Sequence, residues 1–88
     1  MYFMNICTWE PKDEPEVTAR RKDWKWPERV KVIFEFIDLQ GCRLINVLDT
    51  DEKGLIASRS AWVDLVRFET FPVYPGGDTK KILMAQKA

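Results

Sequence analysis

Val30-Lys31-Val32-Ile33-Phe34-Glu35-Phe36-Ile37-Asp38-Leu39-Gln40-Gly41-Cys42-Arg43-Leu44-Ile45-Asn46-Val47-Leu48 is the stretch that decides the fold. Val30, Val32, Phe34 and Phe36 fall on one parity and Ile33 and Ile37 on the other, as in a strand covered on both faces. Leu39 to Cys42 reads as a tight turn in which Gly41 takes the positive φ, so the flanking strands are adjacent and antiparallel. With Gln40-Gly41 as a two-residue turn, Leu39 faces Cys42, Phe36 faces Ile45, Phe34 faces Val47 and Glu35 faces Asn46. The Phe pairs are core. The Glu35–Asn46 pair lies on the other sheet face.

Upstream, Met1 to Trp9 carries apolar side chains on both parities and predicts another doubly covered strand. Acids Asp13, Glu14 and Glu16 followed by Arg20, Arg21 and Lys22 suit a helix dipole and predict a helix from Asp13 to Asp23, anchored by Val17 and Trp24. Downstream, a capping box in Asp49-Thr50-Asp51-Glu52 opens a second helix with the stripe Leu55, Ile56, Arg59, Trp62 and Val63. Arg67 to Tyr74 is a last strand, placed at a sheet edge by Pro72, and Asp78 caps a short final helix that ends at Gln86.

The order is strand, helix, strand, strand, helix, strand, helix over a single domain, residues 1–88. That is an α+β, ferredoxin-like split βαβ arrangement (βαββαβ plus a short C-terminal helix) on a four-stranded antiparallel sheet, with strand one expected beside and parallel to strand three. Right-handed crossovers put both main helices on one face. The other face is apolar and bare, which predicts a homodimer packed face to face.

Fourteen basic side chains balance fourteen acidic ones, so no net field gathers a nucleic acid or an anionic membrane. With 45% hydrophobic and 12% aromatic residues the chain is too rich in core-formers to stay disordered. The apolar opening lacks a basic lead-in and meets Glu10 early, which predicts a strand and a cytoplasmic protein. No histidine is present, which excludes histidine-based triads and histidine-containing zinc sites. Cys7 and Cys42 have no C-x-x-C spacing and are expected reduced, on the order of 15 Å apart along parallel strands. No cofactor and no metal are expected.

The candidate site is a polar row. Asn5 falls at the height of Asn46, so Asn5, Asn46 and Glu35 cross the middle of a face that also holds Phe3, Ile33, Ile37, Leu44 and Leu48. Buried polar groups need partners, so the row either bonds across a dimer interface or lines a pocket; the interface has the simpler support. In the pocket case Glu35, raised in pKa among apolar neighbours, is the candidate proton-transfer group and the asparagines orient it. Trp62, and likewise Trp9, is read first as a core plug and second as a ligand-stacking group. Arg20-Arg21-Lys22-Asp23-Trp24-Lys25-Trp26 mixes bases with aromatics but satisfies a helix C-terminus in the ordinary way.

Thr8-Trp9-Glu10-Pro11, Ala61-Trp62-Val63-Asp64-Leu65 and Phe68-Glu69-Thr70-Phe71-Pro72-Val73 together resemble a family of short prokaryotic proteins known only as a domain of unknown function. The resemblance implies the dimeric α+β barrel, a fold whose members include cofactor-independent monooxygenases, isomerases, haem-degrading enzymes and ligand-sensing modules. It carries no catalytic residues over. Two functions are therefore expected: a homodimeric module binding a small apolar ligand, with Asn5, Asn46, Trp9 and Trp62 at the site, or a cofactor-independent monooxygenase or isomerase acting through Glu35.

Overall fold

A computed structural model describes residues 1–87. Its strands are β1 (Tyr2–Thr8), β2 (Lys31–Ile37), β3 (Arg43–Asp49) and β4 (Arg67–Val73), and its helices α1 (Glu14–Lys22), α2 (Glu52–Ser60) and α3 (Gly76–Lys87). The strands form one sheet in the order β2-β3-β1-β4, with every neighbouring pair antiparallel. The molecule is thus α+β, with an order compatible with the ferredoxin-like arrangement. β1 and β3 are antiparallel, contrary to the parallel pairing expected. The crossover through α1 returns β2 parallel to β1, and the hairpin then reverses the chain, so β3 beside β1 must run the opposite way. Pro72 sits on an edge strand as expected, opposite Phe3. β2 is the other edge.

The hairpin register matches the pairing predicted from the turn, with Glu35 opposite Asn46, Phe36 opposite Ile45 and Phe34 opposite Val47. The turn itself differs. Asp38 and Arg43 close the ladder through Asp38 N–H to the Arg43 carbonyl at 2.9 Å, and Gly41 N–H returns to the Asp38 carbonyl at 2.9 Å. The loop therefore has two residues more than expected, and both Gly41 (φ 88°) and Cys42 (φ 61°) take positive φ. Because one residue is added on each side, the register is unchanged. Beyond it, a bulge at Ile33 shifts the pairing between Val32 and Phe34.

The covered face is not the one expected. Phe3, Asn5, Cys7, Leu44, Asn46 and Leu48 are buried, and the core joins Cys7, Leu44, Val17 of α1 and Val66 to Trp9, Trp62, Leu65 and Phe68. The polar row therefore points at the helices. Phe36, expected in the core, is 67% exposed on the opposite face. β2 and β3 are apolar on both parities, so hydrophobicity does not tell which parity the helices cover.

A short 3-10 turn, Pro11–Asp13, leads into α1, whose acids and bases segregate to its two ends as predicted. α2 is capped by Asp51, which accepts the Gly54 N–H at 2.8 Å. Its inward face is rotated from the expected stripe: Gly54 and Ser58 are buried while Ile56 and Val63 are exposed, and Trp62 lies in the turn after the helix. α3 is 12 residues long and begins before Asp78, whose side chain lies outside the described residues. Residues 80–85 of α3 are exposed.

Candidate functional site

Between the helix-covered sheet face and the two helices lies a cavity of about 200 Å3. Asn5, Asn46 and Glu35 of the polar row line its floor. Registers Asn5–Thr70, Asn5–Asn46 and Glu35–Asn46 put one polar residue from each strand at one height, so the row spans the whole sheet. The Thr70 hydroxyl donates to Asn5 Oδ1 at 2.6 Å, and Asn5 Nδ2 donates to Asn46 Oδ1 at 2.9 Å. Asn5 and Asn46 are only 2% and 3% exposed, and these bonds satisfy the carboxamide atoms that face neither water nor the cavity.

Glu35 closes the row at β2, but its partner is a helix residue. Arg21, projecting from the last turn of α1, donates to the Glu35 carboxylate, so the asparagines do not orient it. The ion pair thus forms across the sheet–helix gap. Arg20, one residue earlier, faces away from the row; it holds Asp64 at 2.7 Å and the Ala61 carbonyl at 2.9 Å, and lies 5.7 Å from the Trp62 ring centre. The basic segment expected to be a solvated helix end therefore ties α1 to the sheet and to the end of α2.

All four tryptophans line the cavity. Trp24 meets Trp26 and Trp62 edge to face, with ring centres 5.5 and 5.6 Å apart. Trp9 donates its indole N–H to the Glu14 carboxylate, which fixes the mouth of β1 to α1. Arg59 of α2 stands 5.2 Å from the Phe68 ring centre. Cys7 is on the wall, and burial first, then the Glu35 charge, pushes its thiol up to about 12 despite Arg59 and Arg21. It stays protonated and is no nucleophile at neutral pH. Burial and Glu14 likewise raise Cys42. Both thiols are free. Trp9 N–H bonds the Cys42 carbonyl at 3.2 Å, so Cys42 sits just two positions beyond the Cys7–Leu44 pair instead of far off along a parallel neighbour.

The five residues singled out from the sequence, Asn5, Trp9, Glu35, Asn46 and Trp62, all line this one cavity. Sequence reasoning missed Thr70, Arg21 and Arg59. Thr70 had a usable signal, since it lies opposite Asn5 once β4 is paired to β1; the arginines come from helix faces whose rotation no pattern gives. Among the described residues no three Cys, Asp or Glu side chains converge as a metal site, and no helix is long and apolar enough to cross a membrane.

Fold and site together define an α+β domain with an aromatic-walled, polar-floored cavity between sheet and helices. The chain belongs to the family described as a domain of unknown function (DUF3303), whose model matches residues 1–87. No curated protein and no solved structure matches it.

Proposed function

We propose that this protein is a small-molecule-binding module of the cytoplasm that works as a homodimer of the α+β barrel type. The observation that carries the reading is the cavity, in which four indoles surround a hydrogen-bonded polar floor. Apolar walls with a few fixed polar groups are the usual make-up of a ligand site. The free thiols accord with a reducing compartment. Dimerisation draws on the bare sheet face, where Phe36 and Phe71 are exposed beside the half-buried Tyr2, Met4, Ile6 and Ile45.

Toluene titrated into the protein should shift the indole N–H resonances saturably, because every indole borders the cavity. Unmoved resonances at saturating toluene would remove the binding reading. The competing reading, a cofactor-independent monooxygenase or isomerase, draws on Glu35 at the cavity wall and is opposed by the Arg21 pair that occupies it. Turnover of a bound compound that is lost in Glu35→Gln with the fold intact would put the enzyme in its place.

A further inference from the structure

The cavity wall carries two polar groups that the protein itself leaves unanswered. Arg59 is the first. Arg20, Arg21, Arg29 and Arg43 each hold a carboxylate, whereas Arg59 has none within ion-pairing distance among the described residues. The two acids on the wall are engaged elsewhere, Glu35 by Arg21 and Glu14 by the Trp9 indole. Arg59 lines the cavity, its guanidinium carbon 5.2 Å from the ring centre of Phe68 on the same wall. A guanidinium half-buried against an aromatic wall without a counter-ion calls for one from outside.

Asn46 is the second. The ladder runs from the Thr70 hydroxyl to Asn5 and from Asn5 to Asn46 Oδ1, which leaves Asn46 Nδ2 with no protein acceptor among the described residues. A residue 3% exposed thus offers a free N–H at the cavity floor.

The walls define the rest of the ligand. Trp24, Trp62 and Phe68 present flat surfaces, and 200 Å3 exceeds the roughly 150 Å3 that takes a benzene ring. One ring or two fused rings fit. A carboxylate is planar, pairs bidentately with a guanidinium and carries the single charge that Arg59 balances, whereas a phosphate dianion would keep an uncompensated charge against the apolar wall. We infer that the cavity binds a small aromatic acid, its carboxylate on Arg59, its ring among Trp24, Trp62 and Phe68, and an acceptor oxygen on Asn46 Nδ2.

This inference rests on the cavity being a ligand site, and its test separates the two. Calorimetric titration compares 2-naphthoate with 2-naphthamide, which has the same shape and no charge. In the unaltered protein the acid should bind about tenfold more tightly, the value of a charge-assisted hydrogen bond. In Arg59→Gln the acid's advantage over the amide should disappear, with circular dichroism reporting the fold. Should that variant not fold, the acid-to-amide ratio in the unaltered protein decides alone. Equal affinities overturn the aromatic-acid inference and leave a neutral-ligand site; no saturable binding of either, together with unmoved indole resonances in toluene, overturns the site itself.

Discussion

Gly54 shows how one residue ties an element to the core. A β-carbon there would stand 1.9 Å from Thr50 Oγ1, and that hydroxyl is held by the Arg29 carbonyl at 3.0 Å, so it cannot swing aside freely. Gly54→Ala gains about 1 kcal/mol of helix propensity but meets an overpacking cost of about 1–3 kcal/mol. Net destabilisation in urea unfolding is expected, and Thr50→Ala in the same chain should recover part of it; additive effects would contradict the contact. Titratable residues shape the pH response at the same scale. Asp51 is lowered first by the Gly54 N–H, Asp64 by Arg20 and Asp38 by the Gln40 N–H. Their folded pKa values lie below the unfolded ones, so their contribution is present above about pH 4 and is lost as pH falls through the lowered values. Cys7 works in the opposite direction. Its pKa is raised to about 12, so its contribution is whole below about pH 9 and is lost as pH climbs from there. Urea midpoints should therefore be flat near neutrality and fall at both ends, and Cys7→Ala should soften the alkaline fall. An alkaline limb unchanged by that substitution would mean that Cys7 does not titrate as placed.

The β2–β3 hairpin is where an element obeys its pattern in register and departs from it in detail. Cys42 holds φ at 61°, in the left-handed region that an L side chain enters at a cost of roughly 1 kcal/mol or more. Cys42→Gly should raise the melting temperature slightly, less whatever the 3.7 Å contact of its Sγ with Glu14 contributes. Cys42→Val should lower it, because a β-branched residue fits that conformation worst. A valine variant as stable as the glycine variant would contradict the loop geometry. Across the sheet, the ladder behaves as one unit. Asn5→Ala leaves Asn46 Oδ1 without a donor and takes away the acceptor of Thr70, so a loss of about 1–3 kcal/mol is expected in urea unfolding.

At the scale of the whole molecule the notable quantity is shape. The radius of gyration is 15.5 Å and the longest extent 54 Å, against about 12 Å expected for the radius of a globule of this length. Ile82, Leu83 and Met84 on α3 are each more than half exposed, and the bare sheet face adds Phe36 and Phe71. With dimerisation through that face, light scattering after size exclusion should give twice the 10.4 kDa chain mass at micromolar concentration. Phe36→Asp should separate the protomers without unfolding them. Leu44→Asp cannot serve as that probe, because Leu44 belongs to the core under the helices and a charge there would unfold the chain. A folded monomer from the unaltered chain would refute the homodimer.

What the sequence by itself determined was the set of elements and the hairpin register; Asn5 was set beside Asn46 on a parallel pairing, and it meets Asn46 in the antiparallel one because both lie at mid-strand. Strand alternation, turn residues and charge segregation act over a few residues, and register is a local count from the turn, so Glu35 opposite Asn46 was legible in advance. Even the longer turn kept it, since the loop grew by one residue on each side. Tertiary structure decided which sheet face the helices cover, that β1 and β3 oppose each other, that Arg21 reaches the row from α1 and that Arg59 joins the cavity wall from α2. Those outcomes depend on the direction in which a crossover returns and on the rotation of a helix about its axis. With β2 and β3 apolar on both sides, no periodicity distinguishes the alternatives, and only packing of the whole chain selects one.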